Sequence, residues 1–229
     1  MIKINRYAVY FAPRPGPFAD RAAAWLGWDA AAGRAVAQPD LPGLPVPPAG
    51  LTVDPRRYGF HGTIRAPFRP KTTLGQDEIA GCLSDLAAGL PAVICDGLAL
   101  ENLTGFLALT PRGDTAALLE LAARVVEGTN DLRAPLTEAE IARRRPETLT
   151  VRQKGYLTRW GYPFVMDELR FHLTLTDRLP ADQVTTVAAV LDRHFTPVLP
   201  RPFAIQDLCL FGEDETGKFH LLHRYALTG

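Results

Sequence analysis

The chain has 229 residues, room for one large domain or two small packed lobes, and its 47% hydrophobic and 22% charged content is that of a globular protein. Its 25 Lys and Arg balance 25 Asp and Glu, so it lacks the basic excess that a long nucleic-acid track requires, though a short RNA end remains open. No apolar run is long enough to span a bilayer, and the start of the chain has no apolar signal-peptide core, which predicts a cytoplasmic protein.

A strand is predicted over residues 4–12, ended by Pro13, Pro15 and Pro17, which cannot donate to a ladder. A helix at about 17–28 puts Phe18, Ala22, Trp25 and Leu26 on one face. Residues 39–50, rich in proline and glycine, predict an irregular loop. A strand at about 57–66 follows. A helix at about 75–89 then carries Ile79, Cys82, Leu83 and Leu86 at i, i+3, i+4, i+7 spacing. Two strands, about 92–100 and 103–110, turn near Glu101-Asn102, and a helix at about 114–127 starts with Asp114 as N-cap.

Thr137-x-x-Glu140 and Thr150-x-x-Gln153 are capping boxes, each satisfying orphan N–H groups at a helix start. They predict two central helices, one running to about Arg145 before Pro146, the other to Trp160 with Gly161 as its stop. A strand at about 168–176 comes next. Then follow a helix at about 181–195, with Val184, Val187, Leu191 and Phe195 on one face, and strands at about 201–211 and 218–227. The order βαββ thus occurs twice. It predicts an α+β fold, a single bilobal domain over 1–229, with two pseudo-twofold-related lobes whose antiparallel sheets flank a central cleft. The first lobe takes residues 57–110, the central helical segment 111–161 and the second lobe 168–227.

The motif strands share a pattern: Phe60-His61-Gly62-Thr63-Ile64 and Phe171-His172-Leu173-Thr174-Leu175. On a strand, residues i and i+2 share a face. Phe60, Gly62 and Ile64, like Phe171, Leu173 and Leu175, then point into a core. His61, Thr63 and Arg65 point the other way, as do Arg170, His172 and Thr174. Each strand offers an imidazole to move a proton, a hydroxyl to donate and a guanidinium to clamp an anion, a set suited to a phosphate ester. A single His-x-Thr is ordinary strand surface; two in matching settings, 111 residues apart, point to chemistry.

The paired His-x-Thr motifs and the doubled βαββ order resemble the two-histidine (2H) phosphoesterase superfamily. The segments Arg6–Pro13, Tyr58–Phe68 and Arg159–Met166 are similar to a 2H subfamily associated with bacterial phosphonate utilisation. The resemblance implies a metal-independent cyclic phosphodiesterase with no cofactor. It acts on a cyclic phosphate or a 2′–5′ linkage, with 5-phosphoribosyl 1,2-cyclic phosphate as the substrate that the phosphonate link suggests. Many relatives have Lys where this chain has Arg65; the charge survives but the forked geometry differs.

The expected catalytic residues are His61, Thr63, His172 and Thr174, one histidine as base and the other as acid, with near-symmetry hiding which is which. Arg65, Arg170, Arg6 and Tyr10 are expected to border the phosphate. Arg143 and Arg144, with Arg145, form either a clamp for a second phosphate or a solvated helix end. Tyr58 and Tyr162, with Tyr156, either stack on a base or sugar or pack in the core. The chain has no His-Glu-x-x-His or paired-Asp metal motif and no Gly-x-x-x-x-Gly-Lys-[Ser/Thr] loop. Cys82, Cys95 and Cys209, odd in number and widely spaced, predict buried free thiols. His194, His220 and His223 read as structural. An RNA-end enzyme of the same chemistry and a non-catalytic sugar-phosphate or nucleotide binder are the alternatives.

Overall fold

A computed structural model describes residues 3–229. Strand β1 (Arg6–Phe11) leads into helix α1 (Pro17–Leu26), which the left-handed Gly27 closes. A two-residue pair, β2 (Trp28–Asp29) and β3 (Arg34–Ala35), and two single-turn helices, α2 (Pro48–Leu51) and α3 (Pro55–Tyr58), precede the first motif strand β4 (Gly62–Phe68). Helix α4 (Gln76–Ala88) and strands β5 (Val93–Cys95), β6 (Gly97–Leu103) and β7 (Phe106–Arg112) complete the first half. Helices α5 (Ala116–Gly128), α6 (Glu138–Ala142) and α7 (Val151–Trp160) form the centre. The second half is β8 (Leu173–Thr174), α8 (Val184–Phe195), β9 (Phe203–Ile205), β10 (Asp207–Glu213) and β11 (Phe219–Ala226).

Both predicted capping boxes are formed. Thr137 accepts from the N–H of Glu140, Thr150 accepts from that of Gln153, and each partner side chain returns the bond. Gly161 sits in the left-handed region that ends α7. Local chemistry alone dictates these features, so they appear where the spacing puts them.

The α+β fold with antiparallel strands holds. Each half follows its motif strand with a helix and a closing hairpin, the hairpin preceded by one extra short strand (β5, β9) that pairs with its counterpart. Seven strands form one continuous sheet, β11-β10-β1-β4-β8-β7-β6, every pairing antiparallel. The two motif strands are neighbours at its centre. The lobes, however, exchange their hairpins. The β6–β7 hairpin of the first half extends the sheet beyond β8, and the β10–β11 hairpin of the second half lies beyond β1. The helices follow suit: α4 packs on β10 and β11, and α8 packs on β6 and β7. Sequence periodicity specifies an element's type but not its partner, so the spatial lobes are not the contiguous segments 57–110 and 168–227.

One face of the sheet buries the main core. Tyr7, Val9, Phe11, Ile64, Leu173 and Leu210 meet the apolar stripes of α1, α4, α5 and α8, including Trp25, Leu83, Val125 and Leu191. At about 25 cal/mol per Å² of apolar surface removed from water, this contact is the principal stabilising term. The opposite face carries a smaller cluster of Ala8, Tyr10, Trp28, Cys209, Phe211 and Phe219 and remains open around the motif histidines. Cys95 and Cys209 are buried and all three cysteines are free thiols. Among the described residues no helix is long and apolar enough to cross a membrane.

Candidate active site

Gly62 pairs with Leu173 across β4 and β8. Continuing that antiparallel register by one residue each way sets His61 across from Thr174 and Thr63 across from His172. Leu173 is fully buried in the core, so its neighbours His172 and Thr174 turn to the open face, and His61 and Thr63 flank Gly62 in the same way. A local twofold between Gly62 and Leu173 exchanges the two motifs. Four functional groups therefore gather on one patch of one strand pair.

Why the first motif has glycine at its centre is visible in the packing. A Cβ at Gly62 would lie 2.2 Å from the ring of Phe171, the aromatic of the other motif. Glycine lets that ring cover the strand junction, and Phe171 also packs near Phe11 and Phe203.

The histidines are held alike. His61 Nδ1 lies 3.0 Å from the carbonyl of Gly59, and His172 Nδ1 lies 2.6 Å from that of Arg170. A carbonyl only accepts, so each Nδ1 carries the hydrogen and each Nε2 is left as the reactive nitrogen. Thr63 Oγ1 stands 3.4 Å from His61 Nε2.

Their surroundings differ. His61 stacks on Tyr10 with ring centroids 3.9 Å apart, and Tyr58 and Phe211 lie farther around it. Burial, and secondarily the nearby His172, push the His61 pKa down to about 4, against the opposing bond from its ring to Gly59. His61 is thus neutral at physiological pH. Among the described residues His172 has only Phe106, at 5.6 Å, as an aromatic neighbour.

A cavity of about 230 Å³ opens beside the motif pair, lined by His61 and Thr174 but not by Thr63 or His172, and by Tyr58, Phe106, Thr176 and Arg178 among others. A second, of about 260 Å³, shares Tyr58 with the first and is lined by Arg6, Arg65, Arg143, Arg144 and Tyr162 among others. Several expected ligands do not present their side chains to a cavity at the motifs. Tyr10 is 1% exposed: it backs His61 and touches no open surface. Arg65, also 1% exposed, lies beneath the second cavity, its Nη1 donating to the Trp160 carbonyl at 2.9 Å. Register shifts in the β1–β4 pairing and the end of α7 above it take Arg65 off the open face.

Arg170 is exposed and lines neither cavity, because regular strand begins only at Leu173 and parity does not extend back to it. Its carbonyl serves the site, by anchoring His172. Arg6 is engaged by Glu213 through a two-pronged ion pair. Arg143 and Arg144 do reach the second cavity, Arg144 lying 4.7 Å over the Tyr162 ring. Arg145 does not line it, and α6 ends at Ala142. Tyr156 binds Asp167 at 2.5 Å, away from both cavities. Thr176, on the same strand face as His172 and Thr174 by i+2 spacing, lines the first cavity; Phe106 and Arg178 there, and Arg57 and Arg133 at the second, have no spacing that links them to the motifs.

His220 pairs with Asp214 at 2.8 Å and His194 is partly buried at the end of α8; neither lines the two cavities. Among the described residues no group of three or more His, Cys, Asp or Glu side chains is arranged to hold a metal ion.

Residues 63–220 match the family described as DUF1045, protein of unknown function. Over 220 residues the chain is 38% identical to a protein of Janthinobacterium sp. (strain Marseille) named ribose 1,5-bisphosphate phosphokinase PhnN, covering 93% of this chain and 49% of that protein. The chain thus spans about half the length of the curated relatives it matches. Among solved structures it is similar to a phosphoesterase at 15% identity, covering 99% of this chain and 100% of that one with a TM-score of 0.45. It is also similar to E. coli LigT complexed with 3′-AMP at 14% identity, covering 99% and 100% with a TM-score of 0.44.

Proposed function

The chain belongs to the DUF1045 family, and we propose that it is a phosphodiesterase opening a small cyclic phosphate with its paired histidines, without a metal. The observation that carries this reading is the Gly62–Leu173 register, which gathers both His-x-Thr motifs on one face.

The reaction is a hydrolysis. His61, kept neutral by its partial desolvation, takes a proton from water at Nε2 as the oxygen attacks phosphorus. The P–O bond to the ring oxygen breaks, and His172 Nε2 gives its proton to the leaving alkoxide. Thr63 and Thr174 donate to the equatorial oxygens as charge builds on them. Each positioned proton transfer contributes roughly 10²–10⁴ in rate. The near-symmetry of the motifs does not extend to their surroundings, and the stack on Tyr10 favours His61 as the base.

The relative's printed name involves a phosphorylated ribose, and the motifs resemble a phosphonate-linked subfamily. Both favour a ribose cyclic phosphate, with 5-phosphoribosyl 1,2-cyclic phosphate the first to test. The kinase activity in that name is not carried over, since this chain has no Gly-x-x-x-x-Gly-Lys-[Ser/Thr] loop.

The test is a phosphorus NMR screen of cyclic phosphates with wild type beside His61→Ala and His172→Ala. Wild type is expected to turn over a ribose cyclic phosphate, and each variant to lose that turnover while staying folded. Full activity in either variant, or loss of wild-type activity on chelation, would overturn the reading.

A further inference from the structure

Within the reading just given, we propose that the arginine-lined cavity beside Tyr58 is a subsite for a second, terminal phosphate monoester, so that the substrate carries a phosphomonoester as well as a cyclic diester.

Charge is unevenly placed around this cavity. Among the described residues Arg57, Arg65, Arg133, Arg143 and Arg144 line it without a carboxylate partner. Arg6 and Arg69 line it too, but Glu213 and Glu140 hold them. Glu140 is the single carboxylate of the lining, and it is consumed by Arg69 and by the cap of α6. In a chain of zero net charge, this is a local positive well.

Arg65 supplies the second observation. Its guanidinium is buried, yet Nε and Nη2 have no hydrogen-bond partner. Leaving charged donors unsatisfied in a low-dielectric setting is unfavourable unless a ligand completes them. Carbonyls at the end of α7 offset part of the charge: Trp160 accepts from Arg65, and Arg159 accepts from Arg133 at 3.0 Å. Carbonyls cannot neutralise five guanidinium groups; a phosphate dianion, with three acceptor oxygens, fits forked donors. Burial, and then Arg133, lower the Arg65 pKa to about 10, which leaves it charged at neutral pH.

The two cavities share Tyr58, and Thr63 and Arg65 are two residues apart on β4, at most roughly 7 Å along the strand since a register shift falls between them. That separation is about the width of one pentose. A cyclic phosphate at the histidines and a monoester at the arginines would sit on opposite sides of a single sugar.

Two substrates that differ only in the monoester test this: 5-phosphoribosyl 1,2-cyclic phosphate and ribose 1,2-cyclic phosphate. Wild type is expected to favour the first, and Arg144→Gln to lower that preference about ten- to a hundredfold, the scale of one charge-assisted contact. Equal kcat/KM on the two substrates with wild type, or an unchanged preference in Arg144→Gln, would overturn the subsite. If neither substrate is turned over, the phosphodiesterase reading fails by itself, and the subsite is judged by calorimetry with ribose 5-phosphate. Binding kept in His172→Ala and weakened at least tenfold in Arg144→Gln supports it; absent binding, or equal binding by both, rejects it. Arg65→Gln is a second variant, read by the same preference after its fold is checked by circular dichroism.

Discussion

At the scale of single residues, the site depends on how two similar histidines are made unlike. Each is fixed by the same Nδ1–H bond to the carbonyl two residues before it, so the difference lies in what packs against the ring. Tyr10 covers His61 on a face from which water is excluded, and charging that imidazole costs solvation. Two consequences have opposite readouts. In kinetics, His61 remains a competent base until the pH approaches about 4, so the acid limb of kcat/KM should lie well below the ordinary imidazole value of about 6.5. A pH–rate profile checks this, and an acid limb at 6.5 or above would show that His61 is not the base. In stability, the unfolded chain binds a proton at His61 between about 6.5 and 4 that the folded chain refuses. Stability therefore falls as pH drops through that window, and His194, whose pKa burial and then Arg21 lower, adds to the fall. His61→Gln removes the larger of these contributions. It should lose less Tm than wild type between pH 7 and 4.5, whereas an equal loss would place the acid sensitivity elsewhere. The motif histidines and threonines were legible in the sequence, because strand parity acts locally. Tyr10 as a backing ring and Arg65 as a buried cation were not, because parity does not say what covers a face.

At the scale of elements, helices were easier to read than strands. The capping boxes at Thr137 and Thr150, and Gly161 after Trp160, settle helix ends with bonds between near neighbours. The motif strands depend on distant partners instead. The first was expected from residue 57, but Pro55 starts a helical turn through Tyr58 and regular strand begins at Gly62. The second was expected over 168–176 and narrows to Leu173–Thr174. It is held in place by its contact across Gly62, where Phe171 fills the space a side chain would take. Gly62→Ala should therefore push that ring aside. Overpacking of this kind costs about 1–3 kcal/mol, seen as a Tm loss of several degrees. Because the same junction aligns His61 with Thr174, activity should fall as well. Phe171→Leu, destabilising alone, should restore part of the loss in the double variant, a coupling that a thermal-melt cycle measures. Strict additivity of the two effects would mean that ring and glycine are not in contact.

At the scale of the whole molecule, the duplicated order could be counted in the sequence but its assembly could not. Two βαββ units suggest two lobes that fold side by side, each complete in itself. In the structure the helix after each motif strand serves a hairpin from the other half, and β8 pairs directly with β7. Helix α4 covers β10 and β11, α8 covers β6 and β7, and β5 pairs with β9. Joining the halves through a short strand alone would leave a weak seam at β4–β8, where few residues pair. The exchange places the packing of α4 and α8 on the hairpins across the sequence midpoint, so neither half retains a covered sheet if the other unfolds. Helix α4 without β10 and β11 would expose Ile79 and Leu83 to water, and α8 without β6 and β7 would expose Val187 and Leu191. The chain should accordingly melt as one unit. Scanning calorimetry is expected to give a single transition whose calorimetric and van't Hoff enthalpies agree. Two resolved transitions, or a calorimetric enthalpy about twice the van't Hoff value, would mean that the halves unfold separately and that the exchanged hairpins do not couple them.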